Sequence, residues 1–321
     1  MIRRIALAAI VALVVAYVPQ PAAAEPPGIT LVDLGAADYK ITAVDVNDRG
    51  QILVYTYPGG FLWEHGVVTP IEPPPVGYWS PRAINNQGHI VGWCYVGTAT
   101  HALLWEDGVT TDLGLDGFPM DINDGGQVVG YTAGGSPRAF LWEDGETTYL
   151  APDWVSSYAL GINPRGQVVG YGQPDSTSTT TAFVWQNGGF TYLAPLSDVV
   201  GQGSAAAINA AGLVVGSSLD ATYYRRAVMW QDGSAIDLGA LEPTGNSFAR
   251  AVNDRGQIVG YGAPGQGGYH QHALLWEAGA LTELDGFAND AEALAINNRG
   301  WVVGRSRDVD GRNHAVLWIV M

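Results

Sequence analysis

One phrase recurs seven times along this chain, and that periodicity constrains the fold more than any bulk property does. Its form is small-x-small-apolar-Asn-x-x-Gly-x-apolar-Val-Gly-aromatic, as in RAINNQGHIVGW, MDINDGGQVVGY, LGINPRGQVVGY and AVNDRGQIVGY. The anchoring asparagines are Asn47, Asn85, Asn123, Asn163, Asn209, Asn253 and Asn297, at intervals of 38, 38, 40, 46, 44 and 44 residues. A second phrase follows each one: FLWEHG, HALLWEDG, RAFLWEDG, TAFVWQNG, RAVMWQDG, HALLWEAG and a truncated HAVLW. Each unit divides into four short β-type runs. The first ends at the Asn, whose NDRG-like turn has the Asn and Gly suited to a tight hairpin. The second is GQVVGY-like, the third HALLW-like, and an EDG-like turn leads to the fourth, TTDL-like. A helical solenoid of similar period would need 3.6-residue apolar spacing, which is absent. Four strands in about 40 residues predict a β-propeller blade, and helix content near zero.

The chain ends sharpen this reading. The seventh unit stops at HAVLWIVM without a fourth strand, while ITLVDLG (Ile29 to Gly35) copies TTDLG and AIDLG near the N-terminus. That spare strand can complete the last blade and remove the open sheet edges that promote aggregation. The prediction is an all-β, seven-bladed β-propeller of four-stranded antiparallel blades, closed by the N-terminal strand pairing into the last blade. Small residues at alternating first-strand positions, such as Ala249 and Ala251 or Ala293 and Ala295, let neighbouring sheets converge toward an axis. The repeated Trp63, Trp105, Trp142, Trp185, Trp230, Trp276 and Trp318 are expected to pack between blades.

Together these phrases resemble the HAF repeat, named for its His-Ala-Phe tripeptide and found in bacterial proteins with an extracellular setting. The likeness spans residues 25–321. The first unit departs from it, with Val54 where others have Gly92 or Gly130, and Gly60 in place of the Ala. The resemblance implies a fold and a compartment, and no particular chemistry.

Residues 1–24 read as a secretory signal peptide: MIRR, a short apolar run, then PQPAAA, with cleavage expected after Ala24. No later stretch reaches the roughly 18 to 20 apolar residues of a membrane span. Residues 25–321 are then one exported propeller domain, secreted, periplasmic or at the cell surface, and expected to be monomeric. They carry 13 basic against 31 acidic residues, a formal −18, with Lys40 the only lysine. Such a charge disfavours nucleic acid and anionic lipid as partners. Cys94 is the only cysteine, so packing rather than disulfides must stabilise the fold.

Seven equivalent units act as an internal control: what repeats is scaffold, and what breaks the pattern is a candidate for function. The Asn and Trp sets, and the aromatics of one shared position (Tyr55, Trp93, Tyr131, Tyr171, Tyr261), read as scaffold. The variable links, between second and third strands and between blades, emerge on one face, where binding residues sit on rigid scaffolds. Pattern-breaking residues there give the candidate ligand-binding set Trp79, Arg82, Phe118, Trp154, Tyr158, Tyr224, Phe248, Arg250 and Tyr269, rich in the types enriched at hot spots. Arg82 and Arg250 fall just before the Ala-x-Asn element, near the mouth of the axial channel, and the structural reading of them is a salt bridge to an acidic neighbour such as Glu292.

Familiar motifs do not hold up. Gly260-Tyr-Gly262-Ala-Pro-Gly265 has the dinucleotide spacing but no following helix. His270 and His272, and Asp308 and Asp310, are incomplete as metal sites, so neither cofactor nor metal is expected. Two readings of function follow. The first is an extracellular binding protein whose partner is a glycan, a carboxylate-bearing molecule or another protein. The alternative is a lyase or hydrolase drawing on Arg82, Arg250, Glu292, His270 and Tyr158 at the channel mouth.

Overall fold

In the computed structural model, described for residues 28–37, 40–71, 78–198, 201–265, 270–288 and 290–320, every long element is a strand and no helix occurs among those residues. Residues 1–24, expected to be a signal peptide, and Tyr269 lie outside the described residues. The strands form five four-stranded antiparallel sheets and one of seven strands. Among the described residues no helix is long and apolar enough to cross a membrane.

Each four-stranded sheet follows the sequence unit. The second strands carry paired valines or isoleucines, such as Val128 and Val129 or Val168 and Val169, all fully buried. Successive residues point to opposite faces, so such a run requires a sheet covered on both sides. Accordingly, the hydrophobic clusters lie between units rather than within them. One joins Val169 and Ala182 to Ala205, Ile208 and Val228; another joins Val303, Ala315 and Leu317 of the last unit to Ala43, Ile52 and Val54 of the first.

Ring closure is made by the spare strand. Ile29–Ala37 pairs antiparallel with Asn313–Val320, from Ile29 opposite Val320 to Ala37 opposite Asn313. Six EDG-type turns have two consecutive residues at positive φ, Asp107 (48°) and Gly108 (87°) for example, as a two-residue hairpin requires. The last unit has no such turn, because its fourth strand comes from the other end of the chain.

One unit boundary departs from expectation. Val109–Ile122 is a single 14-residue strand that pairs through Val109–Asp112 with one neighbour and through Gly117–Ile122 with the next, fusing two units into the seven-stranded sheet. The link there, LGLDGF, is short; the strand kinks at Gly114 (φ 73°) and resumes pairing at Asp116, opposite His101. The tryptophans also divide. Trp185, Trp230, Trp276 and Trp318 are buried, whereas Trp63, Trp105 and Trp142 are half-buried.

Two repeat features organise the axis. Each asparagine side chain accepts from its own turn and donates across to the next unit. Asn163 Oδ1 takes the Arg165 and Gln167 N–H groups, each at 3.0 Å, and its Nδ2 reaches Asn209 O at 3.0 Å. The same cross-link runs from Asn47 to Asn85, Asn123, Asn163, Asn209, Asn253 and Asn297, and returns from Asn297 to Asn47 O at 2.9 Å. The second feature is a register shift in every first strand three residues before the Asn, between Ala249 and Ala251 for instance. The facing glycine accommodates it: a Cβ on Gly260 would lie 1.9 Å from Phe248 O, and one on Gly170 1.9 Å from Tyr158 O. A bulged residue leaves the ladder and re-aims its side chain. Here it aims at the axis.

Candidate functional site

The bulge positions Val44, Arg82, Met120, Leu160, Ala206, Arg250 and Leu294 all line one axial cavity of about 660 Å³. Four are aliphatic, one is Met, and two are arginines. The cavity therefore has an apolar floor with two cations set into it by the same local distortion. A third, Arg225, enters from the start of the strand Arg225–Gln231. Each has a tyrosine beside it. The Arg250 guanidinium stands 5.4 Å from the Tyr261 ring centroid, a cation–π arrangement, and Phe248 packs on the same ring at 5.1 Å. The Arg82 charge acts on Tyr131 and that of Arg225 on Tyr171, in both cases opposing the rise that burial imposes on the phenol pKa.

Two carboxylates share the cavity. Asp45 Oδ1 accepts the Val46 N–H and its Oδ2 the Ile84 N–H of the next unit, both at 2.8 Å. Asp121 does the same with Ile122 (2.8 Å) and Ile162 (2.9 Å). Each therefore clips two consecutive first strands together. Burial pushes Asp45 up to about 6, against the lowering effect of those N–H groups and Arg82. Burial pushes Asp121 up to about 7; its backbone hydrogen bonds and Arg82 oppose the rise, and the negative charge of Asp45 adds to it. Arg82 lies between the two units that carry them. Its own pKa is lowered, first by burial and then by the like charge of Arg250, while Asp45, Tyr131 and Asp121 pull it back.

Among the described residues, the arginine–carboxylate ion pairs are Arg226–Asp237, Arg305–Glu292 and Arg307–Asp290. None engages Arg82, Arg225 or Arg250, and Glu292 is turned to Arg305 rather than to the cavity. A chain of −16 net charge thus gathers three arginines against two protonatable carboxylates at its axis.

The predicted site residues are distributed unevenly. Arg82, Phe248 and Arg250 come together in the cavity. Phe118 and Tyr158 join a ladder of rings around one side of the axis, Trp93–Phe118–Tyr131–Tyr158–Tyr171, with centroid separations of 5.4, 5.3, 4.9 and 4.7 Å. Trp79 is fully buried in a cluster with Leu53, Ile90 and Cys94. Trp154 packs against Phe183, Phe190 and Tyr192, away from the residues that line the cavity. Tyr224 closes a loop in which its N–H donates to Asp220 Oδ1, and His270 is exposed outside the cavity lining.

Asp45 and Asp121 escaped the sequence reading. The signal was present: five units have Ala or Gly two residues before the Asn, and these two have Asp. Tyr131, Tyr171 and Tyr261 repeat as scaffold positions do, and their position also faces the axis.

A second cavity, of about 340 Å³, lies at the other end of the axis and is lined by the asparagine ring. Its polar groups are engaged with one another. Asp48 Oδ1 accepts the Asn298 N–H at 2.8 Å, and Asn298 Nδ2 donates to both Asp48 and Asp254 at 3.0 Å. The axial arginines have no such mutual satisfaction.

The remaining motifs are absorbed by the fold. Gly260 and Gly262 lie on the strand Ile258–Ala263, His272 pairs with Glu283, and Asp308 Oδ1 accepts the Asp310 and Arg312 N–H groups of its own turn. Among the described residues no three His, Cys, Asp or Glu are grouped to hold a metal ion.

The chain matches no protein-family model and no curated protein in sequence. Solved structures do resemble it. The β-propeller domain of the trilobed protease from Pyrococcus furiosus, described as having an open velcro topology, aligns at 9% identity and a TM-score of 0.60 over 89% of this chain and 94% of that one. YCF48 bound to D1 peptide aligns at 13% and 0.54, over 94% and 99%. TolB from Acinetobacter baumannii aligns at 11% and 0.48 over 84% of this chain; the chain spans only 60% of that one's length. At such identities the likeness shows the fold alone: this chain is an all-β propeller of antiparallel sheets, and its chemistry must be argued from its own residues.

Proposed function

We propose that this protein is an exported, monomeric seven-bladed propeller of the HAF-repeat kind, which binds an anion-bearing small ligand in its axial cavity without transforming it. The seven-membered asparagine ring supports the blade count, with the seven-stranded sheet counted as two blades that share Val109–Ile122. The leader pattern at 1–24 supports export. One observation carries the ligand reading: three arginines without carboxylate ion pairs meet in a half-polar cavity of about 660 Å³, within the volume range of small-molecule sites. Guanidinium groups so placed bind carboxylate or phosphate through paired hydrogen bonds.

A thermal-shift and calorimetric screen of small carboxylates, phosphate esters and acidic and neutral sugars tests this. The wild type should bind an anionic class that Arg250→Ala loses, while the variant keeps its melting temperature. No anion bound, or equal binding by the variant, overturns the reading.

A second reading draws on Asp121, which sits near neutrality beside Arg82, where a general acid or base belongs. If the protein is an enzyme on anionic substrates, Asp121→Asn abolishes turnover and spares binding. If it is a binding protein, no product forms from any bound compound.

A further inference from the structure

The three arginines are not equivalent. Arg82 is half-buried, and the units on either side of it bring Asp45 and Asp121 into its field. Arg250 occupies the matching bulge on another unit and is exposed to the cavity. Its Cζ lies 5.4 Å from the Tyr261 ring centroid, and among the described residues no carboxylate ion pair takes up its N–H groups. An edge-on fork matches a planar carboxylate.

Formal charge narrows the ligand further. Three arginines against two carboxyl groups leave the cavity at +1 when both acids are ionised. One carboxylate balances that. A phosphate ester or tricarboxylate would place its extra negative charge against Asp45 and Asp121.

The rest of the wall suits a polyol. Gln202, Ser204, Ser217 and Thr180 supply neutral donors and acceptors. Asp45 and Asp121 each use one lone pair per oxygen on the backbone, which leaves acceptor sites for ligand hydroxyls. Tyr171, Tyr261 and Phe248 add aromatic surface against which the C–H face of a sugar ring can lie.

Building on the anion-binding reading, we propose that the ligand is a uronic-acid saccharide, held by its carboxylate at Arg250 and Arg225 and by its hydroxyls at the neutral polar side chains and the two aspartates that line the same cavity.

Isothermal titration of the full chain at pH 8, where both acids are largely ionised, with galacturonate, its methyl ester, neutral galactose and glucose 6-phosphate tests the proposal. Galacturonate should bind, and esterification, loss of the carboxylate, or Arg250→Ala should each weaken binding about tenfold or more, as loss of a charged paired hydrogen bond implies. Arg225→Gln, at a strand end, provides a second variant whose folding is checked by its melting curve. Equal binding of the ester or of galactose overturns the carboxylate assignment. If glucose 6-phosphate binds and galacturonate does not, the sugar-acid proposal fails while the anion site stands. If no probe and no other anion binds, both fail.

Discussion

The two ends of the axis are built from the same first strands, a few residues apart, and they obey opposite rules. At the asparagine end every unit contributes the same side chain, and each bond is repeated around the ring. At the cavity end, three residues earlier, the units contribute Val, Arg, Met, Leu, Ala, Arg and Leu. The first end is a closure device, in which one deviant unit leaves a gap. The second is a surface on which deviation is tolerated, because a bulged residue owes nothing to the strand ladder. Identity around the ring therefore marks structural work, and difference marks freedom to acquire a ligand.

Four perturbations separate the two ends of the axis. The largest effect is expected from removing the strand Ile29–Ala37, which leaves the last sheet with an open edge and uncovers Leu317 and the residues packed on it. Cooperative unfolding should be lost, and light scattering should report association. Next, Asn163→Ala strips four hydrogen bonds from a fully buried side chain and leaves their partners unmet, at a cost of about 3 kcal/mol in urea denaturation.

The third concerns Asp121 and Asp45, whose folded pKa values of about 7 and about 6 lie above the ordinary 3.8. Between about pH 4 and pH 7 the folded protein binds more protons than the unfolded chain, so stability falls as pH rises through that window. Asp175, which hydrogen bonds from Thr177 and Ser178 hold down at about 2, acts in the opposite sense only below about pH 4. The melting temperature should be several degrees higher at pH 5 than at pH 8, and Asp121→Asn should flatten that slope. An unchanged slope would remove Asp121 from the account. The smallest effect on stability belongs to Arg250→Ala, within about 0.5 kcal/mol, because the side chain is exposed and outside any ion pair. A loss above 2 kcal/mol would make Arg250 a scaffold residue and erase the contrast between the two ends.

Much of the architecture was legible in residue order. The Asn-x-x-Gly turns, the double-valine second strands and the copied ITLVDLG strand each depend on local rules, and each took its expected place. The bulge was not legible. It inserts one residue into the pairing and brings two consecutive positions, the bulged residue and the one after it, to the cavity, so the side chains at Asp45 and Asp121 could not be assigned there from alternation alone. Trp79 shows the converse. It breaks the sequence pattern among variable loops, yet the chain turns it into a core of Leu53, Ile90 and Cys94. Pattern-breaking identifies what is unusual, while the direction of a side chain depends on strand register. Tyr131, Tyr171 and Tyr261 repeat as scaffold residues do and also line the cavity, since in a ring a repeated position can also be a repeated lining.

The pairing of Ile29 with Val320 also imposes an order in time. The first strand of the ring to be synthesised can find its partner only when the last one exists, and His314 meets Asp33 across 281 residues of chain. Hairpins within each unit can form early, since their contacts are local. The closed state must wait, with unsealed sheet edges exposed for the whole interval, so folding should be slow and sensitive to concentration even though the finished ring is well packed.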